Sequence, residues 1–344
     1  MSKSARQSNI ELLRIVLMLM IITHHVIVHG MGLKGIKEQS FVLDKFVYAE
    51  LFFNSFAVIG VNGFIFISGY FGMKFKLRTV LSFIFQALFY SLGIFLIFNI
   101  FIYKTPLDYT KLFYAFFPIS KTAWWFLTTY LGLYFLAPFL NKGIEEIKKK
   151  DLLILLLGLL FFDCCSGFIF GAYPKNGYTI FHFITLYVLA GYIRKYVPNI
   201  KKPFLCFIIL SLIIFSICIF LLDIEKYPKI WKTFSYNNPL LMLSAVMIFF
   251  TFKNISIQSK FINTISCCVF GVYLLHDHPI INKLLIKTVS QVKTDYMQNE
   301  VLLAIIIIAI IIGIFIIGTI VEYIRKSIFD KLIDKIDSSI KITE

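Results

Sequence analysis

Apolar runs of about twenty residues recur along the whole 344-residue chain, separated by short stretches where Lys, Asp, Asn and Pro collect. A run of that length, coiled as an α-helix, spans the roughly 30 Å hydrocarbon layer of a bilayer. Ten segments fit this pattern, at 10–29, 47–71, 79–102, 124–140, 152–171, 179–197, 204–222, 238–252, 261–281 and 301–321. The pattern therefore predicts an all-α polytopic membrane protein of about ten transmembrane helices. A transmembrane domain at 1–324 is followed by residues 325–344, which read as a short amphipathic helix on the cytosolic surface.

Composition sharpens this picture. Hydrophobic residues make up 59% of the chain and charged residues 15%, too little polar surface for a soluble enzyme, a collagenous chain or a disordered one. The net charge of +15 would suggest nucleic acid in a soluble protein. Here loop cations and the anionic face of a bilayer account for it, so the expected partner is lipid and no nucleic acid. With ten spans both termini share a side. Placing them in the cytosol puts the loop arginines Arg6, Arg78, Arg194 and Arg325 all inside, which sets an N-in/C-in orientation in the plasma membrane. The first run is expected to be retained, because it carries Arg14, His24 and His25 and lacks a small-residue cleavage site. The six cysteines all fall in apolar stretches with no Cys-x-x-Cys pair, and read as buried hydrophobes that hold no metal.

Ionisable groups at membrane depth are costly, about 3 kcal/mol each on insertion scales, and the first span has several. Arg14 and His25 are eleven residues apart, which on an ideal helix is only about 20° beyond three full turns. His24 lies about 80° from Arg14, while Glu11 and His29 fall within about 60°. The helix thus offers one face with a cation near the cytosolic end and an imidazole about 16 Å further out. Snorkelling from a span that starts late is the plainer reading of the same residues.

Other polar groups sort by depth. Glu50, Trp124, Trp125, Asp163, His182, His276, Asp277 and His278 fall toward the outer ends of their spans, and Ser68, Lys74, Lys76 and Arg78 collect with Arg14 at the cytosolic ends. One end suits a hydroxyl-bearing acceptor, for which His29, Glu50, Trp124, Trp125, Asp163 and His276 are the candidates. The other suits an anionic, phosphate-bearing donor, with Arg14, Ser68, Lys74, Lys76 and Arg78 as candidates. Trp124 and Trp125 also suit an aromatic belt, and the cations after Ser68 also suit topology.

Arg14 and His25, with ten residues between them, resemble the R-x10-H signature of the integral-membrane acyltransferase-3 family. Three further stretches follow in order. NGFIFISGYFGMKFK resembles the family's Ser-Gly-Phe/Tyr segment and its basic residues, at Ser68, Gly69, Tyr70, Lys74 and Lys76. WWFLTTYLGLYFLAPFLN resembles the Trp-x-Leu region ending in Pro-x-x-Asn at Asn141, and GVYLLHDHP resembles a late Tyr-x-x-His segment. The chain departs from the family in carrying mostly lysines where arginines often follow Ser-Gly-Phe. The resemblance implies a ten- or eleven-span O-acyltransferase moving an acetyl group from cytosolic acetyl-CoA to a hydroxyl of a cell-surface carbohydrate, with no bound cofactor. In that reading His25 is the general base and Arg14 contacts the CoA phosphates or the thioester end. A transporter or flippase would use the same intramembrane His and Arg as a proton or substrate pathway, and a polysaccharide polymerase would call for a longer outer loop.

Overall fold

The computed structural model describes residues 6–35, 44–104, 106–120 and 124–342, and every regular element among them is a helix. In chain order they are α1 (Ser8–His25), α2 (Val47–Ala57), α3 (Gly60–Phe71), α4 (Leu77–Ile97), α5 (Tyr109–Ala115), α6 (Trp125–Glu146), α7 (Lys149–Leu160), α8 (Ile180–Tyr196), α9 (Pro203–Asp223), α10 (Tyr227–Thr233), α11 (Pro239–Lys253), α12 (Lys260–Ser266), α13 (Val269–His276), α14 (Pro279–Asp295) and α15 (Glu300–Ile342). Helices α1, α4 and α7 run on into π-helical turns at Val26–Gly30, Phe98–Tyr103 and Phe161–Ile169.

The chain is thus an all-α polytopic membrane protein. Among the described residues, six helical stretches are long and apolar enough to cross a bilayer: Ser8–Gly30, Val47–Phe71, Leu77–Tyr103, Lys149–Ile169, Pro203–Asp223 and Glu300–Asp330. The other four apolar segments of the sequence are also helical. Trp125–Glu146 and Ile180–Tyr196 are more polar or shorter, Pro239–Lys253 is short, and the last is broken.

That broken segment is where the observed fold differs most from the sequence pattern. A straight span over 261–281 is expected, but the helix ends at His276 and turns by 80° into α14. The reason is local. His278 has extended backbone and accepts the Ile280 amide on Nδ1 at 3.2 Å, and Pro279 supplies the first helical residue. The sequence pattern places no membrane span between 281 and 301, where the amphipathic helix α14 continues to Asp295. The stretch 325–344 is continuous with the last span as far as Ile342, with no break at 324. Residues 36–43 of the expected outer loop lie outside the described residues.

Helix α1 is the hub. It packs on α2, α3, α11, α12, α13 and α15, and Leu13, Leu17 and Ile22 are fully buried. Small residues let α3 come close: a Cβ at Gly63 would lie 2.5 Å from Leu17, and one at Gly60 2.6 Å from Ile21. On its other side α3 meets α8, where a Cβ at Gly69 would lie 2.7 Å from the Tyr187 backbone. In lipid, where burying apolar surface no longer drives helices together, this close approach supplies the packing. The polar face of α1 is thereby held inside protein.

Candidate active site

The two adjacent histidines of α1 point to different neighbours. His24 is buried against α2, with Nδ1 2.7 Å from Asn54 Oδ1. His25 faces α13, with Nδ1 3.1 Å from His276 Nε2 and 3.8 Å from Asp277 Oδ1. The π-helical turn begins directly after His25 and brings the His29 ring to 5.8 Å from it. Gly30 closes the turn against α14, where a Cβ would lie 2.6 Å from Val289.

The tautomers of this pair follow from what each nitrogen meets. His276 Nδ1 lies 2.7 Å from the Val272 carbonyl oxygen, which only accepts, so Nδ1 carries the proton. In the neutral ring Nε2 is then an acceptor, and the bond from His25 can form only if His25 Nδ1 donates. That leaves His25 Nε2 with a free lone pair, the form a general base requires.

His25 lines a narrow cavity of about 40 Å³ together with Met18 and Ile21 of α1, Val61 and Phe64 of α3, Trp125 and Phe126 of α6, Tyr236, and Val269, Phe270 and Tyr273 of α13. Space of that size holds about three waters. One turn toward the N-terminal end of α1, three of these helices each place a polar group in line with a lining residue: Arg14 precedes Met18, Ser68 follows Phe64 and Tyr130 follows Phe126. Four residues of helix rise about 6 Å. Ser68 Oγ lies 3.1 Å from the Tyr130 hydroxyl, the Phe126 and Tyr130 rings stack at 5.5 Å, and Arg14 is within electrostatic range of Tyr130. Arg14 also pairs with Glu11 at 3.3 Å, and Glu11 accepts the Ser266 hydroxyl of α12.

After α3 the chain turns at Gly72, whose φ of +71° lies in the left-handed region suited to glycine. Residues 73–76 then run without regular structure, held by three side chains. Met73 N–H donates to Tyr187 Oη at 2.8 Å and Asn141 Nδ2 donates to the Met73 carbonyl at 2.8 Å. The Tyr134 hydroxyl donates to the Lys74 carbonyl at 2.9 Å and accepts Lys76 N–H at 3.0 Å. Lys74 and Lys76 therefore sit on a fixed segment. Arg78, by contrast, is engaged by Asp334 of α15 at 2.5 Å.

The acceptor-side candidates divide. His29, His276 and Trp125 gather around His25, and the Trp124 ring packs 5.8 Å from His278 with its indole N–H buried and unpartnered among the described residues. Glu50 instead pairs with Lys293 of α14 at 2.7 Å, alongside Asp44 and the Met31 carbonyl. Asp163 is fully buried and bonds His182 Nδ1 at 2.7 Å, while His182 Nε2 bonds Asn62 Oδ1 at 3.1 Å. Asn62 Nδ2 donates to the Tyr236 carbonyl, which turns its oxygen toward the histidine and makes His182 Nε2 the donor in that bond. Sequence reasoning missed Asp277 as a partner of His25, Tyr130 as the partner of Ser68, and Tyr236 and Tyr273 as cavity residues. Tyr273 was accessible to it, being one turn before Asp277 in the Tyr-x-x-His segment. Among the described residues no cluster of three metal-ligating side chains occurs.

The hub helix thus carries His25 into the cavity and Arg14 one turn beyond the lining residue Met18. Residues 7–322 match the family model described as an acyltransferase domain, nearly the whole chain, and the protein belongs to that family. No curated protein and no solved structure matches the chain significantly.

Proposed function

We propose that this membrane acyltransferase moves an acetyl group from acetyl-CoA to a hydroxyl of a cell-surface or exported carbohydrate in the plasma membrane, with His25 as general base. The observation that carries the reading is the contact of His25 Nδ1 with His276 Nε2 at 3.1 Å, with the His25 ring lining the cavity. Nε2 takes the proton of the attacking hydroxyl as the new C–O bond forms at the thioester carbonyl. Collapse of the tetrahedral intermediate breaks the C–S bond, and the imidazolium returns its proton to the departing thiolate.

In this reading the N-terminus is cytosolic and the donor enters from the Arg14, Ser68 and Tyr130 end. Arg14 cannot in practice lose its charge and offers a planar fork to the phosphate or thioester end of the donor. Lys74 and Lys76, fixed on their segment, supply further positive charge. Trp124, Trp125, His29 and His276 stand at the acceptor end.

The test is acetyl transfer by purified protein. With radiolabelled acetyl-CoA and membranes carrying surface glycan, the wild type is expected to label carbohydrate and His25→Ala to leave it unlabelled. Label incorporated equally by both proteins refutes the assignment of His25, and no acetyl-CoA-dependent label with either removes the donor assignment.

A further inference from the structure

A second recess lies between the residues preceding α1, helix α12 and helix α15, and measures about 580 Å³, a size common among small-molecule pockets. The charged residues lining it are Arg6, Lys260 and Lys326, three cations from three separate segments, and no described carboxylate lines it. Nearby acids have other partners: Asp330 lies 3.6 Å from Arg325, and Glu11, within electrostatic range of Arg6, is bonded to other groups. Glu322 accepts Arg325 through both oxygens and the Tyr90 hydroxyl as well, and Glu11 accepts Arg14 and Ser266.

The hydrogen bonds of Arg6 go to neutral groups, the Asn263 carbonyl at 3.2 Å and the Cys267 sulfur. Among the described residues neither Lys260 nor Lys326 forms an ion pair. Three like charges around one concave space repel, and an anion seated between them reverses the sign of that energy. Thr264 and Ser327 add hydroxyls to the same wall, the companions that a polyvalent oxyanion uses alongside Arg and Lys. The recess is far larger than a bare phosphate, which points to phosphate carried on a bigger group.

We propose that this recess binds a phosphate-bearing ligand through Arg6, Lys260 and Lys326, either a soluble nucleotide or the headgroup of an anionic lipid. The site does not include His25 or its cavity, and the proposal stands whether or not acyl transfer is the chemistry there.

Two probes separate the sources: adenosine 3′,5′-bisphosphate titrated into detergent-purified protein, and phosphatidylglycerol measured by retention against phosphatidylcholine. The double variant Lys260→Gln/Lys326→Gln leaves Arg6 and its bonds to α12 in place, and a matched melting temperature certifies its fold. The expected result is at least a tenfold weakening of one probe, with binding kept in Lys260→Arg/Lys326→Arg and reduced by salt. Weakening of the bisphosphate assigns a soluble ligand, and weakening of phosphatidylglycerol assigns a lipid headgroup. Failure of both probes to bind the wild type, equal binding by the Gln variant, or loss in the charge-keeping variant as well overturns the proposal.

Discussion

The 3.1 Å hydrogen bond between His25 Nδ1 and His276 Nε2 joins residues 251 positions apart in the chain and fixes which nitrogen of His25 keeps its proton. It also separates the two neighbouring histidines of α1 by role, since His24 spends its Nδ1 on Asn54. His25→Ala is expected to lower acyl transfer by about 100-fold or more, the usual weight of a positioned acid–base group, with unchanged membrane insertion. His24→Ala is expected to keep turnover within severalfold and to lose roughly 1–3 kcal/mol of stability, because Asn54 is left buried without its partner. Activity and thermal melting of both variants at matched expression decide the matter. A dead His24→Ala beside an active His25→Ala would reverse the assignment.

As a positioning residue for His25, His276 is expected to show a signature beyond loss of rate. In His276→Ala the His25 Nδ1–H loses its acceptor at 3.1 Å, so the ring is no longer held with Nε2 free, and kcat is expected to fall severalfold with the KM for acetyl-CoA little changed. His276→Gln, whose amide oxygen can accept the same N–H, is expected to restore most of kcat. An equal fall in both variants would reduce His276 to a packing residue.

The membrane class and the helical segments could be read from the sequence because each rests on a local property, a run of apolar residues long enough to cross lipid. The phase of α1 was also legible, since it needs only the helical repeat. What the chain pattern could not give is which side chain from another helix meets which. Glu50 and Asp163 look alike as acids at the outer ends of spans, yet Glu50 is met by Lys293, on a helix whose amphipathic sequence hides it from a search for apolar runs. Asp163 is met by His182, so that two residues that each look suited to chemistry satisfy one another. Pairings of this kind depend on helix packing over long sequence separations. They are fixed by small residues such as Gly63 and Gly69, whose role appears only when the neighbouring helix is in place.

The Asp163–His182 pair gives a stability prediction distinct from catalysis. Both side chains are fully buried, and removing one leaves the buried hydrogen-bonding group of the other unsatisfied, at a cost of about 1–3 kcal/mol. Asp163→Ala is expected to lower the melting temperature markedly in detergent and to reduce the yield of inserted protein. Any molecules that do fold should retain His25-dependent turnover. A fully stable but inactive Asp163→Ala protein would move Asp163 back among the acceptor-side residues.

Donor recognition is expected to rest on Lys74 and Lys76 more than on Arg78. The segment bearing the two lysines is held by Tyr134, Tyr187 and Asn141, whereas Arg78 is engaged by Asp334. Lys74→Gln/Lys76→Gln is expected to raise the KM for acetyl-CoA severalfold with little change in kcat, and to lose the salt dependence of that KM. Arg78→Gln alone is expected to have the smaller effect. An unchanged KM in the double variant would leave topology as the role of these lysines.

Orientation decides which end of the cavity meets the donor, and it can be tested independently of activity. The N-in arrangement puts the junction between α6 and α7 in the cytosol and the junction between α9 and α10 outside. Lys148 and Lys226 stand at these two junctions and are both exposed, so either can carry a reporter cysteine without disturbing packing. In a background whose native cysteines are replaced, Lys226→Cys is expected to react with a membrane-impermeant maleimide on intact cells, and Lys148→Cys only after permeabilisation. The opposite pattern would place Arg14, Lys74 and Lys76 on the outer face. A cytosolic thioester could not then reach His25 from the Arg14 end, and the donor and acceptor ends proposed here would have to be exchanged.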